Sequence, residues 1–178
     1  MSTTLEIPTL RTRRLLLRAF RATDIEPFAA MEADPAVRQF RGGHTLDRTQ
    51  AWTAMQLLLG QWPLRGYGVF ALAAPQDGRF LGFAGVLHPA DWPEPEIAYS
   101  LDRPHWGQGL ASEAAGAVRD WAFEQIGAST LASFIHSGNE RSKRVAAGLG
   151  AVLDGSVTLR GMAVERWVWP APGRGVVA

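Results

Sequence analysis

A strand-like run at Glu96–Leu101 passes through Trp106-Gly107-Gln108-Gly109-Leu110-Ala111 into the best-patterned helix of the chain, expected over Gly109–Ile126. Leu110, Ala114, Val118 and Trp121–Ala122 recur at helical spacing and give that helix one apolar stripe. A helix entered this way leaves its first backbone N–H groups unpaired and presents the positive end of its dipole. The two glycines let a phosphate approach the backbone, so the segment reads as a pyrophosphate site made by main chain. It also demands a layered fold in which strand and helix pack on each other.

The spacing limits which nucleotide could sit there. A dinucleotide-binding fingerprint needs a third glycine, and Ser112 stands at that position. A Walker A loop needs Gly-Lys followed by Ser or Thr, and the chain has none. Taken alone, Gly-x-Gly at a helix start fits a plain tight turn equally well.

Patterning supplies the surrounding elements. Leu10–Phe20 reads as a strand, with Leu15 and Leu17 on one face and arginines on the other, solvent-facing side. Thr23 and Glu26 have capping-box spacing and predict a short helix to Met31, and Asp34-Pro35 predicts a break with a further short turn. Asp47 caps a helix expected over Arg48–Leu59, ending near Gly60 and Pro63. Tyr67–Ala73 and Phe80–Leu87 form a hairpin around Pro75-Gln76-Asp77-Gly78. Three prolines make residues 88–95 a loop. Thr130–His136 is a strand, Ser142–Leu149 a helix capped near Asn139, and Val152–Leu159 with Ala163–Trp169 a last hairpin around Arg160-Gly161. The order is βααβββαβαββ, an α/β (α+β) domain with a mixed sheet. Residues 1–170 read as one domain and 171–178 as a flexible tail rich in Pro and Gly.

Composition narrows the function classes. A chain of 178 residues suits one domain, and 47% hydrophobic with 20% charged residues is ordinary for a packed core. Net charge is +1, with Lys143 as the one lysine, so nothing points to a nucleic-acid partner. The chain has no cysteine, hence no disulfide, thiol nucleophile or thiolate metal site, which fits a cytoplasmic setting. No apolar run reaches membrane-spanning length, and no signal-peptide pattern opens the chain. No His/Asp/Glu cluster has metal-ligand spacing, so no metal is expected.

A second constellation lies one strand later, at Asn139-Glu140-Arg141-Ser142 through Leu149-Gly150. Two helices following neighbouring strands allow a ligand to lie in a splay between those strands. With Leu10–Arg18, Asp24, Gly66-Tyr67-Gly68, Phe80-Leu81-Gly82 and Glu96-Ile97-Ala98-Tyr99, the ordered blocks span nearly the whole chain. In that order they resemble the GNAT family of N-acetyltransferases, and within it the RimJ/RimL branch that acetylates ribosomal-protein N-termini.

The resemblance implies a mostly antiparallel central sheet with helices on both faces, splayed between its fourth and fifth strands. It implies acetyl-CoA as co-substrate, an amine acceptor as partner, and a monomer or homodimer. The family's phosphate loop, [Q/R]-x-x-G-x-[G/A], maps onto Trp106, Gly109 and Ala111, so the amides of Gly107, Gln108, Gly109, Leu110, Ala111 and Ser112 would hold the pyrophosphate. The pantetheine arm would run along Tyr99, Ser100 and Leu101 and pass Asn139 and Ser142. Three positions depart from the family pattern: Trp106 replaces Gln or Arg, Ala151 replaces a common Phe, and Ala146 stands where many members carry a proton-donating Tyr. Ser142 is the substitute acid expected here, Glu96 the expected base acting through water, and Asn139 the third candidate catalytic residue.

Other residues carry bland readings beside functional ones. His136 reads as a satisfied loop histidine more readily than a proton carrier. His88, Asp91 and Glu94 read as a solvated loop or as acceptor contacts. Trp52, Trp62, Trp167 and Trp169 read as packing residues. Three functions stay open: an acetyltransferase, a CoA-binding sensor or interaction module that has lost catalysis, and a transferase for another acyl-CoA such as succinyl-CoA.

Overall fold

The computed structural model describes residues 6–127 and 130–171; residues 172–178 of the expected tail lie outside the described residues. The elements are β1 (Leu10–Arg11), β2 (Leu16–Arg18), α1 (Ile25–Glu32), α2 (Pro35–Arg38), α3 (Arg48–Arg65), β3 (Val69–Ala73), β4 (Phe80–Leu87), β5 (Glu96–Leu101), α4 (Leu110–Ile126), β6 (Leu131–His136), α5 (Glu140–Gly148), β7 (Val152–Leu159) and β8 (Met162–Trp169). The strands form one eight-stranded sheet in the order β1-β2-β3-β4-β5-β6-β8-β7. Every neighbouring pair is antiparallel except β5 with β6.

Alternation along the strands sorts the core into two layers. Val69 and Ala71 of β3 face α1 and α3, packing with Phe28, Met31, Met55 and Phe83. Phe70 and Leu72 point the other way, towards α4 and α5, where Ala114, Val118, Ala122 and Ala146 are fully buried. The stripe on α4 is therefore the expected one, and its alanines let the helix lie close to the sheet. Ala151 is buried in that same layer.

Four expectations are corrected. The first strand is two: Thr12 N donates to Leu15 O at 3.0 Å and Leu15 N to Thr12 Oγ1 at 3.0 Å, a tight turn that folds β2 back on β1. Its arginines do not all face water, because Arg18 is 4% exposed and bound to Asp24 at 2.7 and 2.8 Å. Asp24 also accepts from Arg21 N at 2.8 Å, so this aspartate, rather than the Thr23–Glu26 pair, organises the entry to α1.

The fourth correction is α3, which runs through Gly60 and Pro63 to Arg65. A proline inside a helix costs about 3 kcal/mol. Trp62 beside it is 2% exposed, packs on Phe70 and Trp121 at 4.9 and 5.6 Å, and donates Nε1–H to Val69 O at 3.1 Å. Burying an indole is worth ~4–6 kcal/mol, so the anchor outweighs the proline. Gly68 makes room for it, since a Cβ there would lie 2.7 Å from the Trp62 ring. Gly66, at φ 75, ends the helix.

The expected splay is present. β5 and β6 share one register pair, Glu96 with Ala132, supported by Ala132 N donating to Pro95 O at 3.3 Å. Beyond it side chains replace the ladder. Ser133 Oγ donates to Ile97 O at 2.6 Å and accepts from Trp169 Nε1 at 2.9 Å. No helix among the described residues is long and apolar enough to cross a membrane.

Candidate active site

Each lip of the gap carries a helix start. On the β5 side, Asp102 Oδ1 accepts from Arg103 N at 2.8 Å and begins a short 3₁₀ turn. Trp106 Nε1 then donates back to Leu101 O at 2.8 Å, fixing the loop against the end of the strand. Gly107 and Gly109 both sit at φ 74, a conformation L side chains rarely adopt. Arg14 clamps the loop from outside, through Gln108 O at 2.7 Å and Glu113 Oε2 at 2.7 Å.

The loop suits a diphosphate. No side chain caps the N-terminus of the 17-residue α4, so its first amides are left to an outside acceptor. A Cβ on Gly107 would meet nothing within 4 Å, so the backbone there is bare. The second half of β5, carrying Tyr99, Ser100 and Leu101, has no β6 partner and offers a free main-chain edge to an extended arm. Leu110 is buried, so only its main chain can face a ligand.

On the β6 side, Asn139 caps α5 with Oδ1, which accepts from Ser142 N at 3.2 Å. Tyr99 reaches across the gap: its hydroxyl lies 2.9 Å from Ser142 Oγ and donates to Ser142 O at 3.1 Å. Arg141, one residue before, stacks over Trp106 with Cζ 4.4 Å from the ring centroid. Tyr99, Asn139, Ser142 and the α4 loop are thus linked across the gap through the first turn of α5.

Glu96 stands where the strands part. Its Oε2 accepts from Trp92 Nε1 at 2.7 Å and its Oε1 from Phe134 N at 3.2 Å. Burial pushes the carboxyl up to about 7, and the two donors hold it from rising further. Burial likewise pushes the Tyr99 phenol up to about 12, Ser142 opposing and Glu96 adding to the rise, so the phenol stays protonated at neutral pH.

The remaining candidates are occupied. Asp91 is held by Arg160 at 2.7 and 2.9 Å, and Glu94 by Arg166. His88 Nδ1 meets Tyr67 OH at 3.1 Å, and burial lowers its proton affinity. His136 takes Gly138 N on Nδ1 at 3.0 Å and stacks near Phe40. Lys143 bridges Glu140 and Glu165 at 2.6 and 3.4 Å. Trp62 and Trp169 are buried packing residues, whereas Trp52 is 41% exposed. Among the described residues no group of three or more His, Cys, Asp or Glu side chains could hold a metal.

Two functional-looking residues were not singled out by pattern. Trp92 lay within the proline-rich loop, and only its position four residues before Glu96 hinted at a contact. Ser133 lay inside an apolar strand, where a lone hydroxyl gives no signal of the carbonyl it reaches.

A glycine loop feeding α4 beside a parted parallel strand pair is matched at the level of sequence: the model of the acetyltransferase (GNAT) domain covers residues 14–152. The chain belongs to the GNAT acetyltransferase family. The GNAT chain is 33% identical over 147 residues to the uncharacterized protein YkkB of Bacillus subtilis, covering 79% of this chain and 83% of that one. It superimposes on an acetyltransferase from Agrobacterium tumefaciens with a TM-score of 0.84 at 30% identity, covering 96% and 98% of the two chains. The GNAT fold is also shared with RimL, a ribosomal L7/L12 alpha-N-protein acetyltransferase solved with coenzyme A, at a TM-score of 0.76 and 16% identity over 94% and 100%.

Proposed function

We propose that this GNAT protein is an acetyl-CoA-dependent N-acetyltransferase that acetylates a primary amine by direct attack on the thioester. The observation that carries the reading is Glu96: a carboxyl held by Trp92 Nε1 and Phe134 N where β5 and β6 part, with burial pushing it up to about 7. A base tuned to the working pH contributes about 10²–10⁴-fold.

The donor supplies an activated acetyl group, and the chain's residues do the rest. Amides of Gly107–Ser112 bind the diphosphate, and the free edge of β5 at Tyr99–Leu101 orients the arm. Glu96 accepts the proton shed by the attacking amine, directly or through one water. A main-chain N–H of β5 faces the developing oxyanion. Ser142, hydrogen-bonded to Tyr99, hands a proton to the departing thiolate, and Asn139 fixes Ser142 by capping its helix. The missing residue at Ala146 is thereby compensated from β5.

The acceptor is a protein N-terminus or a small-molecule amine, the two classes named for RimL and for the spermidine N-acetyltransferase of Vibrio cholerae that share the fold. Calorimetric titration with acetyl-CoA, followed by thiol release with peptide N-termini and with polyamines, tests the reading. Saturable binding with thiol release on an amine supports it. Binding without release on any amine favours the sensor, release with succinyl-CoA alone changes the donor, and no binding overturns the reading.

A further inference from the structure

The loop before β5 is built around one side chain. Trp92 N donates to Pro89 O at 3.0 Å in a turn that aims the indole back at β5. Its Nε1–H reaches Glu96 Oε2 at 2.7 Å. One edge meets Phe134 of β6, with centroids 6.3 Å apart at 86°, and one face carries Arg160, whose Cζ lies 4.6 Å from the ring centroid. Arg160 is also bidentate to Asp91, Trp92's neighbour.

Arg160 is held in an unusual backbone state. It sits at the tip of the β7–β8 hairpin with φ 49, followed by Gly161 at φ 79, and is the one non-glycine residue with positive φ among the described residues. Such turns favour Asn or Gly at that position. The arginine's contacts with Trp92 and Asp91 give it a reason to be there.

We propose that Trp92 is the positioning residue of Glu96, fixing the carboxyl at the closed end of the β5–β6 gap through its indole N–H, and that the Arg160 hairpin tip in turn fixes Trp92. The surrounding charges leave Glu96 little else to depend on. Asp91 and Glu94 are taken by Arg160 and Arg166, His88 by Tyr67, and Tyr99 by Ser142. On the α5 side Lys143 is held by Glu140 and Glu165, and His136 at the far end of β6 is turned to Gly138. Without an ionic partner, the carboxylate relies on two neutral donors, the indole and Phe134 N.

The inference rests on the reading of Glu96 as the base, and its test separates the two. In the full chain labelled with ¹³C-glutamate, NMR titration follows the Glu96 carboxyl, assigned by its loss in Glu96→Gln. Trp92→Phe keeps an aromatic ring but removes the donor, and should raise the titration midpoint by about one pH unit, tenfold in proton affinity. Arg160→Asn suits the turn and removes the clamp, and should raise it by less. The acid limb of the thiol-release rate should move with the midpoint in both variants. An unchanged midpoint in Trp92→Phe overturns the inference, and an unchanged midpoint in Arg160→Asn alone overturns the clamp. Wild-type turnover by Glu96→Gln overturns the base reading instead and leaves the titration result standing.

Discussion

The hydroxyl of Tyr99 lies 2.9 Å from Ser142 Oγ, joining β5 to the first turn of α5 across the gap in the sheet. A serine hydroxyl is a poor acid by itself, and a phenol beside it can swing its proton from Ser142 O to Oγ, replacing the one given up, and then regain a proton from water. Tyr99→Phe is expected to lower the maximal rate about tenfold, and Ser142→Ala about 10–100-fold. Affinity for acetyl-CoA should change little in either variant. The double variant should lose no more than Ser142→Ala alone, because the residues act in series. Steady-state thiol release with calorimetric binding checks this.

Glu96→Gln is expected to cut the rate by about 10²–10⁴-fold and to stabilise the fold, with a pH dependence that identifies the cause. Below pH 4.5 the carboxyl is protonated in folded and unfolded chains alike. Between there and about 7 the unfolded chain ionises first, so stability falls as pH rises, and above 7 the loss is constant. The variant should therefore melt higher at pH 8, by a ceiling of about 3 kcal/mol, and like wild type at pH 4. Thermal melts at the two pH values decide it.

Gly107→Ala probes the loop with little structural disturbance. Its Cβ would meet no atom within 4 Å, so folding loses only the strain of φ 74, about 1 kcal/mol. If a diphosphate lies against that backbone, the methyl obstructs it. The dissociation constant for acetyl-CoA is expected to rise about tenfold, a loss of about 1.4 kcal/mol. An unchanged constant places the diphosphate elsewhere.

Asp24→Asn is predicted to be among the most damaging conservative changes. It leaves the Arg18 guanidinium, 5% exposed, without its counter-charge and loosens the turn at Arg21. Breaking such a buried pair costs about 3–5 kcal/mol, readable by urea denaturation.

Much of this molecule was legible in one dimension. Phe80–Leu87, Glu96–Leu101 and Val152–Leu159 read correctly because Pro, Gly or a tight turn bounds each run. The α4 stripe and the Asn139 cap were equally plain. The break between β1 and β2 was hidden because Thr12 and Arg13 make the turn without glycine or proline. The passage of α3 through Pro63 depends on Trp62 finding Phe70 and Trp121, which no local pattern reveals. The opening between β5 and β6 was expected through the family likeness, whereas the links that span it, Ser133 to Ile97 and Phe134 to Glu96, are contacts only folding brings about.

A sheet parted at its middle is mechanically two sheets. β1–β5 form one stiff plate and β6–β8 the other, hinged at the Glu96–Ala132 pair and stitched by side chains that open without unzipping a ladder. The unpaired edge of β5 should therefore take up deuterium faster than its β4-bonded edge. A ligand that fills the seam should slow that exchange and bind the plates into one body, making the molecule stiffest when it is loaded.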